Sequence, residues 1–178
     1  GNPDSAEAIM VFRDLELSLI TGSKLHVPHV TTEKSVNLIR EMKIKNKSVS
    51  AEVTPHHLYF NVDNLKSYDT NLKVAPPIRS ENDRQSLISA LVDGTIDCIA
   101  TDHAPHAPEK KLLELDRAPF GILGLETAVG LSVTRLIESG RIDWPRFVEA
   151  ISLLPARILG IDRGTLRPGA IADVTLID

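Results

Sequence analysis

Short apolar segments alternate with helical segments along this chain, and that alternation constrains its fold more than any other feature. Segments 25–30, 48–53 and 96–101 are apolar, and stretches with helical periodicity lie between them. Strands that alternate with helices are typical of parallel βα units. The sequence therefore predicts an α/β fold with its functional residues at the carboxyl ends of the strands.

Capping residues and breakers delimit the predicted helices. The expected helices run from Asp4 or Ser5 to about Ile20, from Thr32 through Met42, from Ser80 to Gly94, from about Gly124 to Glu138, from Asp143 onward, and from Pro155 to Gly160. Prolines predict an irregular stretch from 54 to 79. The alternating residues of 172–177 predict a closing strand.

Composition narrows the class of protein. A formal net charge of -4 argues against a general nucleic-acid binder, which would be basic. No apolar run approaches the roughly 20 residues that a membrane-spanning helix needs. Cys98 is the only cysteine, so an internal disulfide is impossible and a reducing compartment is expected. We therefore expect a soluble cytoplasmic protein.

Polar residues follow each predicted strand, and strand parity sorts them. If the strands stay regular, His29 shares a face with Val27, while Asp102 shares a face with Cys98 and His103 points away. Histidine and aspartate both bind metal ions, and a carboxylate beside a metal site can also carry protons. His29 and Asp102 are thus candidate metal ligands, although a hydrogen-bonded structural role is the commoner one for a single histidine at a strand end.

Several motifs occur in order and identify a resemblance. They are LHVPHVTT (25–32), AEVTPHHL (51–58), KVAPPIR (73–79), DGTID (93–97), ATDHAPH (100–106), APFG (118–121), GLETA (124–128) and GTLRPGAIAD (164–173). Together they resemble the C-terminal half of bacterial-type dihydroorotases in the amidohydrolase superfamily.

This resemblance implies a fold and an activity. The fold is α/β: residues 1–163 form the C-terminal part of a (β/α)8 amidohydrolase barrel, and residues 164–178 form a return strand to a small β-sandwich. The activity is that of a metal-dependent cyclic amidohydrolase, a dihydroorotase, which uses zinc to interconvert dihydroorotate and N-carbamoyl-aspartate in pyrimidine biosynthesis.

The resemblance also implies roles for individual residues. His29 and Asp102 match metal ligands of a centre with one or two zinc ions, and Asp102 also matches the catalytic acid and base. His106 matches a contact to the substrate carboxylate, and Phe120 with Gly121 matches a backbone contact to its ring. His56 and His57 do not match metal ligands.

One substrate position departs from the pattern. Ala75 lies where most dihydroorotases have an asparagine that contacts the substrate, and alanine cannot form that hydrogen bond. Two alternatives therefore stay open. One is an allantoinase or hydantoinase-type amidohydrolase, and the other is an inactive dihydroorotase-like subunit that scaffolds another enzyme.

The chain carries only part of the implied site. The other metal ligands of the family precede Gly1, and about three of the roughly eight barrel strands are present. We therefore expect this chain to be a portion of a longer polypeptide and to be inactive alone. The implied partners are a small-molecule substrate, a second copy in a homo-oligomer, and aspartate transcarbamoylase.

Overall fold

The computed structural model describes residues 2–177 and has three parallel strands among its helices. The strands are β1 (Leu25–Val27), β2 (Val49–Val53) and β3 (Cys98–Ile99). The helices are α1 (Asp4–Thr21), α2 (Glu33–Lys45), α3 (Pro55–Tyr59), α4 (Glu81–Asp93), α5 (Pro108–Lys111), α6 (Ala128–Ser132), α7 (Trp144–Val148) and α8 (Leu154–Leu159). Short 3-10 helices occupy Val62–Ser67 and Thr70–Leu72, and π-helical turns occupy Val133–Ile137 and Glu149–Leu153.

The strands lie in the order β1-β2-β3, so each strand pairs with its neighbour along the chain. The register joins Val27 to Ala51 and Val53 to Ile99. These four residues lie on one face of the sheet and belong to the buried core. The opposite face is less covered, as the alternating burial along β2 shows.

The core lies between this sheet face and the helices. Leu15 of α1, Ile39 of α2 and Leu87 of α4 are buried in one cluster with the strand residues. Phe147 of α7 is fully buried in the same cluster. The last helices therefore pack beside β3 and complete the helical layer on that face.

Local capping chemistry explains where several helices begin. The side chain of Thr32 accepts a hydrogen bond from the Ser35 N–H, as expected of an N-cap residue. Ser80 and Asp143 cap α4 and α7 in the same way. The N-cap of α1 is Pro3, so the prediction of Asp4 or Ser5 at that position was wrong by one or two residues.

The region from 54 to 79 is more regular than predicted. Pro55 lies in the first turn of α3, where its missing N–H has no helical partner to lose, so proline starts a helix there instead of preventing one. The short helix predicted from Pro155 to Gly160 is confirmed as α8, with Pro155 in its first turn and Gly160 ending it in the left-handed conformation; π-helical backbone joins α8 to α7.

The predicted strands at 25–30, 96–101 and 172–177 differ most from the structure. β1 ends at Val27 and β3 at Ile99, because the chain changes direction within the next three residues. Residues 172–177 pair with no other strand within residues 2–177. A strand needs a neighbouring strand for its backbone hydrogen bonds, so this segment stays irregular. Val174 and Leu176 are 61% and 93% exposed, and an ion pair of 2.9 Å joins Arg163 to Asp173.

Within residues 2–177, none of the helices has the length and apolar character needed to cross a membrane.

Candidate functional site

His29 lies just beyond the carboxyl end of β1, in an unusual backbone conformation. Its φ is 34°, in the left-handed region that residues with a side chain seldom occupy. Its N–H donates a hydrogen bond to Glu52 Oε1 at 3.4 Å, and the next N–H, of Val30, donates to the Glu52 carbonyl oxygen at 2.9 Å. The strand has ended before His29, so strand parity does not set the direction of this side chain.

Asp102 occupies the equivalent place after β3. Its φ is 48°, and aspartate is one of the few residues that tolerate this conformation. The side chain is exposed. Since β2 separates β1 from β3, the ends of those two strands lie roughly 10 Å apart across the sheet. The structure therefore brings His29 and Asp102 to the same edge of the sheet, separated by one strand.

His103 has a structural role that explains its position beside Asp102. Its Nδ1 accepts hydrogen bonds from the N–H groups of Gly124 at 3.0 Å and of Leu125 at 3.3 Å. An Nδ1 that accepts is unprotonated, so the ring proton is on Nε2. His103 also forms a parallel bridge with Ile122. It thus fastens the segment after β3 to the segment that leads into α6.

His106, Phe120 and Gly121 lie together. His106 Nε2 is 2.8 Å from the Phe120 carbonyl oxygen. Gly121 has a φ of 140°, and a Cβ there would lie 2.5 Å from the Ala104 carbonyl oxygen and 2.9 Å from His106 Nε2. Position 121 therefore requires glycine. A cavity of about 380 Å³ lies beside His106 and Gly121 and is also lined by Lys111.

Lys73 holds the loop that carries Phe120. Lys73 Nζ donates to the carbonyl oxygens of Leu115 and Ala118, both at 2.6 Å, and lies 4.6 Å from the centroid of the Phe120 ring. The Lys73 carbonyl oxygen accepts the Gly121 N–H at 2.9 Å. Ala75 follows Lys73 by two residues and is exposed.

His56 and His57 are buried in α3, as a structural role requires. Burial, with the charges of His57 and His29, lowers the pKa of His56 to about 3. Burial likewise lowers the pKa of His57 to about 4, although a hydrogen bond to the Pro76 carbonyl oxygen opposes the shift. Both rings are therefore neutral at pH 7. His56 Nε2 is buried and has no hydrogen-bond partner among residues 2–177.

A third polar group lies on the less covered face of the sheet. His26, Glu52 and Cys98 have potential ligand atoms within 4.8 Å of one another. His26 Nε2 is 2.9 Å from Glu52 Oε2, and its Nδ1 is 2.8 Å from Ser50 Oγ. Burial raises the pKa of the Cys98 thiol to about 12, and the charge of Glu52 adds to the shift. With both ring nitrogens of His26 engaged and the thiol protonated, we interpret this group as a hydrogen-bond network.

Comparison with known proteins identifies the family. Residues 2–178 match the amidohydrolase family, and the chain belongs to it. The chain is 52% identical over 178 residues to the dihydroorotase of Pelotomaculum thermopropionicum, covering all of this chain and 42% of that relative. It is 49% identical to the dihydroorotase of Caldanaerobacter subterraneus subsp. tengcongensis, of which it covers 41%. The chain thus spans less than half the length of these relatives.

Solved structures agree with the family and confirm the predicted α/β class. The L-hydantoinase of Arthrobacter aurescens superposes with a TM-score of 0.89 at 31% identity, over 96% of this chain and 39% of that one. The dihydropyrimidinase of Brevibacillus agri gives the same TM-score at 26% identity and the same two coverages. The fold is therefore that of amidohydrolases, which the motifs predicted.

The sequence motifs missed Glu52. Its signal was the alternation of β2, which places residues 50 and 52 on the face opposite to the core. His26 lies on the face opposite to Val27, because neighbours along a strand alternate, but the register that pairs His26 with Ser50 needs the folded sheet. The contact between Glu52 and His29 could not be derived from either segment alone.

Proposed function

We propose that the protein containing this chain is a dihydroorotase that uses zinc to catalyse the reversible hydrolysis of dihydroorotate to N-carbamoyl-aspartate in pyrimidine biosynthesis. The observation that carries the proposal is the common location of His29 and Asp102 after the parallel strands β1 and β3. The identity of 52% to a dihydroorotase supports this choice of substrate within the family.

His29 and Asp102 fit a zinc ion by their chemistry. Imidazole nitrogen and carboxylate oxygen are both zinc donors, and a catalytic zinc normally takes at least three protein ligands. We infer that this chain supplies two ligands to one or two ions and that it is inactive alone. When bound, zinc acts as a Lewis acid on water and on an amide carbonyl.

Asp102 is the proposed catalytic residue. Its exposed carboxylate is free to accept a proton from the attacking water and to deliver it to the leaving ring nitrogen. In the reverse reaction the same carboxylate returns the proton. The backbone of Asp102 is left-handed and lies next to His103, which is held by the Gly124 N–H. These two features fix the position of the backbone from which the Asp102 carboxylate extends.

His106, Phe120 and Gly121 are the proposed substrate contacts. The Phe120 carbonyl oxygen can only accept, so His106 Nε2 carries the proton of this hydrogen bond. In the neutral ring Nδ1 is then an acceptor. A protonated ring donates from both nitrogens and can bind a substrate carboxylate. Gly121 lines the cavity beside His106, which supports a contact between this loop and the substrate ring.

The alternative within enzymes is an allantoinase or hydantoinase-type amidohydrolase, and Ala75 favours it. Alanine offers no side-chain hydrogen bond at the position of the usual asparagine. The high TM-score to a hydantoinase fits this alternative but does not select it, since dihydroorotases share more sequence identity with the chain. The inactive scaffold subunit has Ala75 as its sequence support.

Turnover by the full-length, zinc-loaded protein tests these proposals. We expect hydrolysis of dihydroorotate and little turnover of allantoin or hydantoin. Asp102→Asn should reduce kcat by at least about 100-fold, and His29→Ala should reduce bound zinc. Turnover of allantoin or hydantoin but not of dihydroorotate would replace the proposal with the alternative, and no turnover of any of them would favour the scaffold.

Further predictions stand for the assembly and the domains. We propose that residues 1–163 belong to the C-terminal part of a (β/α)8 barrel and residues 164–178 to a strand that returns to a β-sandwich. The apolar and exposed Val174 and Leu176 support a partner for that tail. Formation of a homo-oligomer, association with aspartate transcarbamoylase and a cytoplasmic location stay predictions.

A further inference from the structure

The backbone at His29 needs support from elsewhere in the fold. Its φ of 34° is unfavourable for a residue with a side chain, and such conformations persist only where surrounding contacts enforce them. The neighbouring Pro28 restricts the chain but donates no hydrogen bond. The direction in which the His29 ring leaves the backbone therefore depends on contacts to its own N–H and to the following residue.

Glu52 provides those contacts from β2. Its Oε1 accepts the His29 N–H at 3.4 Å, and its main-chain carbonyl oxygen accepts the Val30 N–H at 2.9 Å. One residue thus binds two consecutive N–H groups of the segment that leaves β1. The bond from the His29 N–H to Glu52 Oε1 is long and therefore weak, so its main effect is on the orientation of the His29 backbone.

The Glu52 carboxylate is itself held in place. Its Oε2 is 2.9 Å from His26 Nε2, and the side chains of His26 and Glu52 are only 30% and 18% exposed. His26 Nδ1 is in turn 2.8 Å from Ser50 Oγ. A neutral His26 satisfies both bonds, with the Ser50 hydroxyl donating to Nδ1 and Nε2–H donating to the carboxylate. Ser50, His26 and Glu52 therefore form a chain of hydrogen bonds that ends on the backbone of His29.

We propose that Glu52 is a positioning residue for His29, held by His26 and Ser50, and that its acceptor oxygen keeps the His29 ring aimed for metal binding. The inference rests on the proposed role of His29 as a metal ligand. Removing contacts that orient a metal ligand typically weakens metal binding by 10- to 100-fold.

Two substitutions separate hydrogen bonding from charge. Glu52→Met keeps the length of the side chain but has no strong acceptor. Glu52→Gln keeps an oxygen for the His29 N–H, and its amide group can donate to His26 Nε2 once the ring proton moves to Nδ1 and is donated to Ser50 Oγ. Cys98→Ala is the matched control, because Cys98 lies on the same face beside Glu52 while its thiol donates to the Ala51 carbonyl oxygen and not to the His29 backbone.

The measurement is zinc affinity of the full-length protein, by competition with a chromophoric chelator, together with the absorption spectrum of the cobalt-substituted protein. We expect Glu52→Met to weaken zinc binding roughly 10- to 100-fold and to shift the cobalt spectrum. We expect Glu52→Gln to stay within about threefold of the unsubstituted protein, and Cys98→Ala to match it.

Each outcome decides between interpretations. Unchanged zinc affinity in Glu52→Met, or an equal loss in Glu52→Met and Glu52→Gln, would overturn the positioning role. If Glu52→Met does not fold, Ser50→Ala carries the test through His26, with a smaller loss of affinity expected and no loss as the contrary result. The zinc affinity of His29→Ala is measured in parallel. If His29→Ala binds zinc as well as the unsubstituted protein, His29 is not a metal ligand. If His29→Ala loses zinc affinity but Glu52→Met does not, only the positioning role of Glu52 is rejected.

Discussion

His103 accepts the backbone N–H of Gly124 at 3.0 Å through Nδ1, and this bond ties the segment after β3 to the segment before α6. Gly124 also lies close to the segment after β3, since a Cβ there would lie 2.7 Å from the Thr101 carbonyl oxygen. The two residues therefore fix the loop that carries Asp102 and His106 against the rest of the fold.

Replacing His103 by leucine should destabilise the protein. The Gly124 N–H loses its acceptor, and an unsatisfied and partly buried donor costs about 1–3 kcal/mol. His103→Asn is the matched variant, because its Oδ1 can replace Nδ1 as acceptor and should recover part of the loss. Urea unfolding monitored by circular dichroism measures both. Equal stability of the leucine variant and the unsubstituted protein would contradict this role.

The buried histidines should make the protein less stable in mild acid. The pKa of His56 falls to about 3 and that of His57 to about 4, below the value of 6.5 expected in the unfolded chain. The unfolded state therefore binds more protons below pH 6.5, so stability is retained above that pH and falls as pH decreases. Each histidine contributes a slope of at most about 1.4 kcal/mol per pH unit.

Urea unfolding midpoints between pH 6.5 and pH 5 test this pH dependence, because most carboxylates stay ionised in that window. Substitution of His56 by glutamine should reduce the slope, because the unfolded chain then has one fewer imidazole to protonate. A flat stability profile down to pH 5 would show that the α3 histidines are not buried in neutral form.

Cys98 should be unreactive in the folded protein. Its side chain is 3% exposed, and burial is the main reason why its pKa rises to about 12. Because only the thiolate is nucleophilic, alkylation by iodoacetamide at pH 8 should be at least about 100-fold slower than in urea. The single cysteine makes mass spectrometry unambiguous. Similar rates in the two conditions would contradict its burial.

Alanine at position 121 should disturb the proposed substrate loop. The added methyl group would lie 2.5 Å from the Ala104 carbonyl oxygen, and the φ of 140° is unfavourable for any side chain. We expect a loss of stability of about 1–3 kcal/mol and a higher KM for dihydroorotate. Gly130→Ala is the control, because a Cβ there meets nothing within 4 Å. Wild-type KM and stability for Gly121→Ala would rule out this packing.

The sequence alone determined most of the helical layer and the family. Thr32, Ser80 and Asp143 cap the helices that they were predicted to cap, because an N-cap bond joins residues two or three positions apart. The parallel order of the strands followed from the alternation of helices and strands. The motif at 100–106 indicated the amidohydrolase family because its residues are contiguous in the chain.

Only the tertiary structure decided where the strands end and what holds the site. The backbone at His29 and Asp102 is left-handed, not extended. The alternation of faces along a strand therefore does not reach these two residues, and the side-chain directions predicted from it do not apply. The contact between Glu52 and His29 joins residues 23 positions apart and exists only in the register of β1 with β2. The strand predicted at 172–177 did not form within residues 2–177, because alternation specifies a strand's faces but cannot supply the neighbouring strand that satisfies its backbone.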